Sequence, residues 1–168
     1  DGEVVEDVRS LLLANVRNPD ERRADLRAQR AATERGAERV AALLDEHGDR
    51  LFDAMDAVIE YARERVEAEL RDLPDGRYRV SDAMEGDGVT DDAIPVVATV
   101  EIDGPALSVD FTGTADQVAG NVNAPLSVAR SAVYYVVRCI TSDDVPANDG
   151  CYAPISVTAP EGSLLNPR

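Results

Sequence analysis

The sequence predicts an α+β protein: a long antiparallel helical hairpin at the N-terminal end, then a mostly antiparallel sheet with one helix packed on it. Three observations carry this. Apolar residues recur at helical spacing through the first 72 residues, where Pro19 is the only proline. After Leu73-Pro74-Asp75-Gly76 the period drops to two, with turn residues between short apolar runs. One further helical run, rich in Val and Ala, returns near Pro125. The organisation that follows is a helical arm over residues 1–74 and a strand-rich part over 75–168.

Taken in order, Glu3–Val16 reads as a first helix with Val5, Val8, Leu12 and Val16 on one stripe. Asn18-Pro19-Asp20 restarts the chain: Asn18 is a candidate N-cap, Pro19 suits the first helical position, and Asp20 and Glu21 complement the positive helix start. The second helix runs to Glu46 and ends at His47-Gly48, with a thin stripe of Leu26, Ala37, Val40 and Leu44. A third spans Asp49–Asp72 with Leu51, Met55, Val58, Ala62, Val66 and Leu73 in helical register. Two long helices joined by a short Gly turn predict the hairpin. Strands follow at Gly76–Ser81, Val96–Ile102 and Leu107–Phe111, the last two joined through Asp103-Gly104. Pro125–Thr141 is helical, and Tyr152–Ala159 reads as the last strand.

Length and charge bound the function. A chain of 168 residues buries about 70% of its unfolded surface, enough for a core without staples. No apolar run approaches the roughly 20 residues that span a bilayer, which argues against a membrane role. Thirty-three acids face seventeen basic residues, every one of them Arg, for a net charge of −16. A chain so acidic cannot lay a broad positive surface along phosphates, so nucleic acid is excluded as a partner. Acidity of this kind serves solubility in general. Together with the absence of Lys, it also fits a halophilic protein whose carboxylates are screened by salt. Cys139 and Cys151 form no Cys-x-x-Cys pair and read as two buried thiols of a cytoplasmic protein, with a disulfide between them as the alternative.

Few residues suggest chemistry. His47, the single His, sits at a helix end, where a capping role competes with a ligand role and no catalytic triad can be built on it. Glu85–Asp92 is acidic and Gly-containing but lacks the order of a calcium-binding EF-hand loop, and reads as a solvated turn. The segment from Asp110 to Pro125 is different. A strand end feeds a loop of hydroxyls, glycines and amides, and that loop feeds a helix start. Asp110, Thr112, Gly113, Asn121 and Asn123 are candidate substrate-binding residues, since exposed amides and hydroxyls can cradle a carbonyl or an anion. The same residue types also bond their own backbone in turns and caps. Arg130, early in the following helix, is placed to pair with Asp110 or to reach a bound carboxylate. No catalytic residue and no metal ligand can be assigned.

Asp110–Pro125 (DFTGTADQVAGNVNAP), the helix from Arg130 (RSAVYYVVRCI) and the tail from Asp144 (DVPANDGCYAPISVTAPEGSLLNP) resemble the hydantoinase B/oxoprolinase family. LLLANVRNPDERRADLRAQRAA from Leu11 and LPDGRYRVSD from Leu73 resemble it in the same order, so nearly the whole chain is covered. The family includes B-type subunits of ATP-dependent N-methylhydantoinases, 5-oxoprolinases and acetone carboxylases. The resemblance implies a middle segment of a cytoplasmic hetero-oligomer. An ATP-binding hydantoinase A-type subunit would activate a carbonyl oxygen of a small cyclic amide, and the B-type subunit would support ring opening. It implies ATP and a divalent metal for the whole complex, none bound by this segment, because the family's metal motifs precede the region matched. A non-catalytic assembly module of the same complex, or of an ATP-dependent ketone carboxylase, is the alternative.

If the acidic composition is a salt adaptation, dialysis from molar salt into dilute buffer will abolish most of the helical circular-dichroism signal. Unchanged ellipticity at low ionic strength would refute it.

Overall fold

The structure, a computed structural model, describes residues 2–168. The chain falls into two compact units, one ending at Ala54 and the other running from Met55 to Arg168.

In the first unit, α1 (Glu6–Ala14) packs on α2 (Pro19–His47). Helix α1 is shorter than predicted because Val5 takes an extended N-cap conformation. Leu13, rather than the Val5, Val8, Leu12 stripe, is its buried residue. Pro19 starts α2 as predicted, but Asn18 does not cap it: its side-chain amide donates to the Glu21 carboxylate at 3.2 Å. Gly48 ends α2 at φ 59°, a left-handed conformation that favours glycine. Helix α2 buries none of its residues, and Val40 and Leu44 of its expected stripe are exposed. Its abundant Ala offers little area to bury. Surface pairs such as Arg30–Glu34 and Arg35–Glu38 run along it instead, each contributing about 0.3–0.5 kcal/mol.

The second unit is α+β. It takes in most of α3 (Arg50–Arg71), because Val66 and Leu70 are fully buried in its core. Strands β1 (Gly76–Met84), β2 (Ile94–Asp103), β3 (Ala106–Asp110) and β4 (Ile155–Thr158) form one sheet in that order. The first two pairings are antiparallel. The third is parallel, because α4 (Leu126–Ile140) carries the chain back to the start of the sheet before β4. A 3-10 turn over Asp149–Tyr152 replaces the start of the predicted last strand.

Period-two alternation sorts the sheet's faces. Leu107, Val109, Ile155 and Val157 are buried with Ala129, Val133 and Val137 of α4 and with α3. Ala98, Val100 and Ile102 lie on the same face and only partly under α4, bordering an apolar cleft of about 350 Å³. Asn148 and Gly150 fix the chain to α3: the Asn148 amide donates to the Val58 carbonyl at 3.2 Å, and a Cβ on Gly150 would stand 1.9 Å from the Ile59 oxygen. Both cysteines are free thiols. Cys151 is buried as predicted, whereas Cys139 is exposed on the outer side of α4.

Leu70→Ala should cost about 2–5 kcal/mol in a urea unfolding experiment, since it removes a fully buried side chain from the junction of α3 and sheet. Phe52→Ala, at an exposed position, should cost under about 0.5 kcal/mol. Equal losses would contradict this core.

Candidate functional site

The loop from Phe111 to Ala124 leaves the end of β3 and runs on alongside β2. Thr114 inserts beneath it: its hydroxyl donates to the Val97 carbonyl at 3.1 Å and accepts from the Val97 N–H at 3.0 Å. Ala115 N–H donates to the Pro95 carbonyl at 2.9 Å, so the loop pairs with β2 where that strand no longer meets β3. The last residues of the chain close the other side. Leu164 N–H donates to Ala115 O, Ala124 N–H to Leu164 O, and Gln117 N–H to Gly162 O.

Asp87 is the pin. Its carboxylate is buried and accepts N–H bonds from Val89, Thr90 and Gly120 at 2.8–2.9 Å. These donors hold the carboxyl below the ordinary Asp range, Thr90 first, then Val89 and Gly120. Gly120 has no room for a side chain, because a Cβ would lie 2.0 Å from the Asp87 carbonyl oxygen. The segment Glu85–Asp92 is therefore more than the solvated turn expected. Periodicity carries no sign of this, since an Asp inside an acidic run looks the same whether it is solvated or buried.

Of the six candidate binding residues, the structure engages three internally. Asp110 accepts from the Thr112 N–H and hydroxyl and from the Thr158 hydroxyl, at 3.0, 2.8 and 3.3 Å. The Thr112 bonds, helped by the charge of Arg77, hold its carboxyl below the ordinary range. Asn123 accepts from Val118 N–H and donates to the Val118 and Gly120 carbonyls, so its amide shapes the loop. Thr112 is occupied by Asp110. Gly113 takes φ 101°, and a Cβ there would meet Arg79 Nη2 at 3.1 Å. Asn121 and Arg130 are exposed, and among the described residues neither side chain is bonded. The expected Arg130–Asp110 pair is not formed: Arg130 lies on the exposed side of α4, while Asp110 takes its positive neighbour from β1.

Strand register explains that neighbour. Arg79, Thr99, Asp110 and Thr158 stand opposite one another across four strands, and so do Arg77, Glu101, Ser108 and Ser156. Residues directly opposite share a face. The site is thus a polar sheet face flanked by a rigid loop, with two guanidinium groups and several hydroxyls available for a carboxylate or amide. Sequence reasoning missed Arg77 and Arg79, although strand alternation places them opposite Tyr78 and Val80. No group of three or more His, Cys, Asp or Glu able to hold a metal ion occurs among the described residues. The donor set of the described residues does not fit the divalent metal that the resemblance implies for the whole complex.

The class that the fold and the loop define is an α+β unit with a pinned polar loop beside its sheet. The chain belongs to the hydantoinase B/oxoprolinase family, whose model matches residues 1–168. It is 34% identical to 5-oxoprolinase 1 of Arabidopsis thaliana over 158 residues, covering 86% of this chain and 12% of the relative. It is 33% identical to the B subunit of a putative D-/L-hydantoinase of Pseudomonas sp., covering 94% of this chain and 28% of the relative. The crystal structure of an ATP-dependent caprolactamase from Pseudomonas jessenii superposes with a TM-score of 0.86 at 30% identity, over all of this chain and 29% of that one. A nucleotide-free acetone carboxylase shares the fold with a TM-score of 0.82 at 20% identity, over 98% of this chain and 24% of that one. The chain therefore spans less than a third of the length of these relatives.

Asp87→Asn should flatten the acid limb of stability. A carboxyl depressed in the folded state contributes above the unfolded Asp value near 3.9, and that contribution is lost as pH falls through the lower folded value. Urea midpoints measured from pH 6 to 2 should therefore fall less steeply in the variant than in the wild type. Parallel curves would show that Asp87 is not the pin.

Proposed function

We propose that this chain is part of the B-type subunit of an ATP-dependent cyclic amide hydrolase that opens hydantoin or 5-oxoproline rings. The observation that carries this is the family match over all 168 residues, with one relative named a 5-oxoprolinase and another the B subunit of a hydantoinase. The partner is an A-type ATP-binding subunit in a hetero-oligomer. N-methylhydantoin is one candidate substrate. The whole complex is cytoplasmic and salt-adapted, and its metal is held by residues outside those described. No helix is long and apolar enough to cross a membrane among the described residues.

An amide carbonyl is a poor electrophile, and ATP supplies the activation by converting its oxygen into a leaving group. This chain's residues bind and orient. Asp110 and Asn123 hold the loop in shape, so that Thr112, Gly113 and Asn121 present polar groups to a small cyclic amide or its carboxylate, and Arg130 adds a cation from α4. Prealigned groups of this kind cost no reorganisation when charge develops on the substrate.

A second reading, a non-catalytic assembly module, draws on the first unit. Val5, Val8, Leu11 and Leu12 of α1 and its N-terminal edge are exposed, and α2 buries nothing. The ketone carboxylase alternative draws on the shared fold alone.

ATP-dependent hydrolysis of 5-oxoproline and hydantoins should be measured with the intact subunit and its A-type partner at high salt. Arg130→Ala and Asn123→Ala should each lower turnover by roughly 10–100-fold with the complex still co-eluting. Lost co-elution would favour the assembly reading. Hydrolysis of neither substrate, with ATP-dependent carboxylation of acetone, would favour the carboxylase.

A further inference from the structure

We infer that β1 is a docking edge, completed in the intact subunit by an extended strand from the same polypeptide, outside residues 1–168, that carries alternating apolar and acidic side chains. The inference rests on the reading that this chain is part of a longer B-type subunit.

β1 pairs with β2 on one side only, over nine residues in unbroken register from Gly76–Ile102 to Met84–Ile94. The direction of its backbone groups follows from three bonds on neighbouring residues. Val97 gives its N–H and carbonyl to Thr114, and Pro95 gives its carbonyl to Ala115, so both turn away from β1. Their partners Ser81 and Ala83 are therefore in the non-hydrogen-bonded positions of the ladder, with backbone groups pointing off the sheet. Ala83 agrees, since its N–H donates to the Asp82 carboxylate at 2.8 Å. By alternation, Arg77, Arg79 and Ser81 offer three outward N–H and C=O pairs, and none of these N–H groups is bonded to a side chain or loop among the described residues.

Natural sheets blunt such edges with Pro, charged side chains or a bulge. β1 has no Pro and its register shows no bulge; it carries charges at Arg77, Arg79 and Asp82, but only Asp82, at its far end, blocks an outward donor. Its two faces specify the occupant. Tyr78 and Val80 are exposed and extend the apolar face of Val100 and Ala98. Arg77 and Arg79 stand on the opposite face, and neither forms a salt bridge among the described residues, although Glu101 stands opposite Arg77 and the Arg77 charge reaches Asp110. An incoming strand satisfies both by setting apolar residues beside Tyr78 and Val80 and carboxylates beside the arginines. The source is the same polypeptide because the matching region makes up only 12% of the Arabidopsis relative, 28% of the Pseudomonas hydantoinase relative and 29% of the caprolactamase chain.

Residue-resolved amide hydrogen exchange on the intact subunit, without its partner, tests this with an internal control. The outward amides of Arg77, Arg79 and Ser81 should exchange within about tenfold of the inward amides of Tyr78 and Val80. Outward amides about 100-fold faster would mean a free edge and overturn the inference. Protection that appears only on adding the A-type subunit, or only as subunit concentration rises, would overturn it in favour of a partner strand or a second copy. Ser81→Pro removes one outward donor and spares the β2 ladder; it should raise exchange at Arg79 at least about tenfold. Should that variant fail to fold, the wild-type comparison still decides. An intact gene product no longer than 168 residues would instead refute the reading on which the inference rests.

Discussion

A carboxylate taken out of water is stable only where donors replace its hydration, and Asp87 has three backbone N–H groups arranged around it. Two of them come from its own turn and one from Gly120, 33 residues further along the chain. The charge thus converts two irregular segments into one unit. Everything the loop presents follows from this placement. Gly120 must lack a side chain to approach, Asn123 closes the bend behind it, and Thr114 and Ala115 bond β2 in the extension of its ladder. The result is a long connection with little regular structure and few free backbone groups, which suits a surface that must hold its shape.

Elements whose signal is local were legible in the sequence. Pro19 started α2, Gly48 ended it, and the period-two runs placed β2 and β3 to within a few residues. The buried stripe of α3 was legible only in part: Leu51, Ala62 and Val66 are buried, whereas Met55 and Val58 of the expected stripe are exposed and Leu70, outside it, is fully buried. Relations between distant segments were not legible. The parallel pairing of β4 depends on the path of α4, and the burial of Asp87 depends on Gly120. Asp110 was chosen for its chemistry, and the chemistry is real, but its partners are Thr112, Thr158 and Arg77 rather than Arg130. Arg77 lies 33 positions before Asp110, and only the register of two strand pairs brings the two to one face.

The same alternation divides β1. One strand face continues the apolar surface beneath α4 and the other carries the arginines, yet both are exposed along its length. In a finished sheet, an apolar face of that kind is covered or small. Here it joins the cleft bordered by Val100, Ile102, Val136 and Ile140, so the uncovered region runs from the sheet edge to the outer side of α4. Arginine suits such a border, since its stem can lie on apolar neighbours while its planar head stays available for carboxylates.

Under the proposed reading, ATP-driven opening of a cyclic amide calls for a phosphoryl donor, a way to bind it, and groups that manage developing charge. The described residues supply neither a cluster of metal-binding donors nor a second histidine beside His47. What they supply is a loop held by a buried carboxylate, next to a sheet face with two exposed arginines. That inventory suits recognition and positioning, where a rigid frame matters more than a reactive group. A region that presents a fixed loop needs a complete core behind it, and Val66, Leu70, Val137 and Val157 provide one.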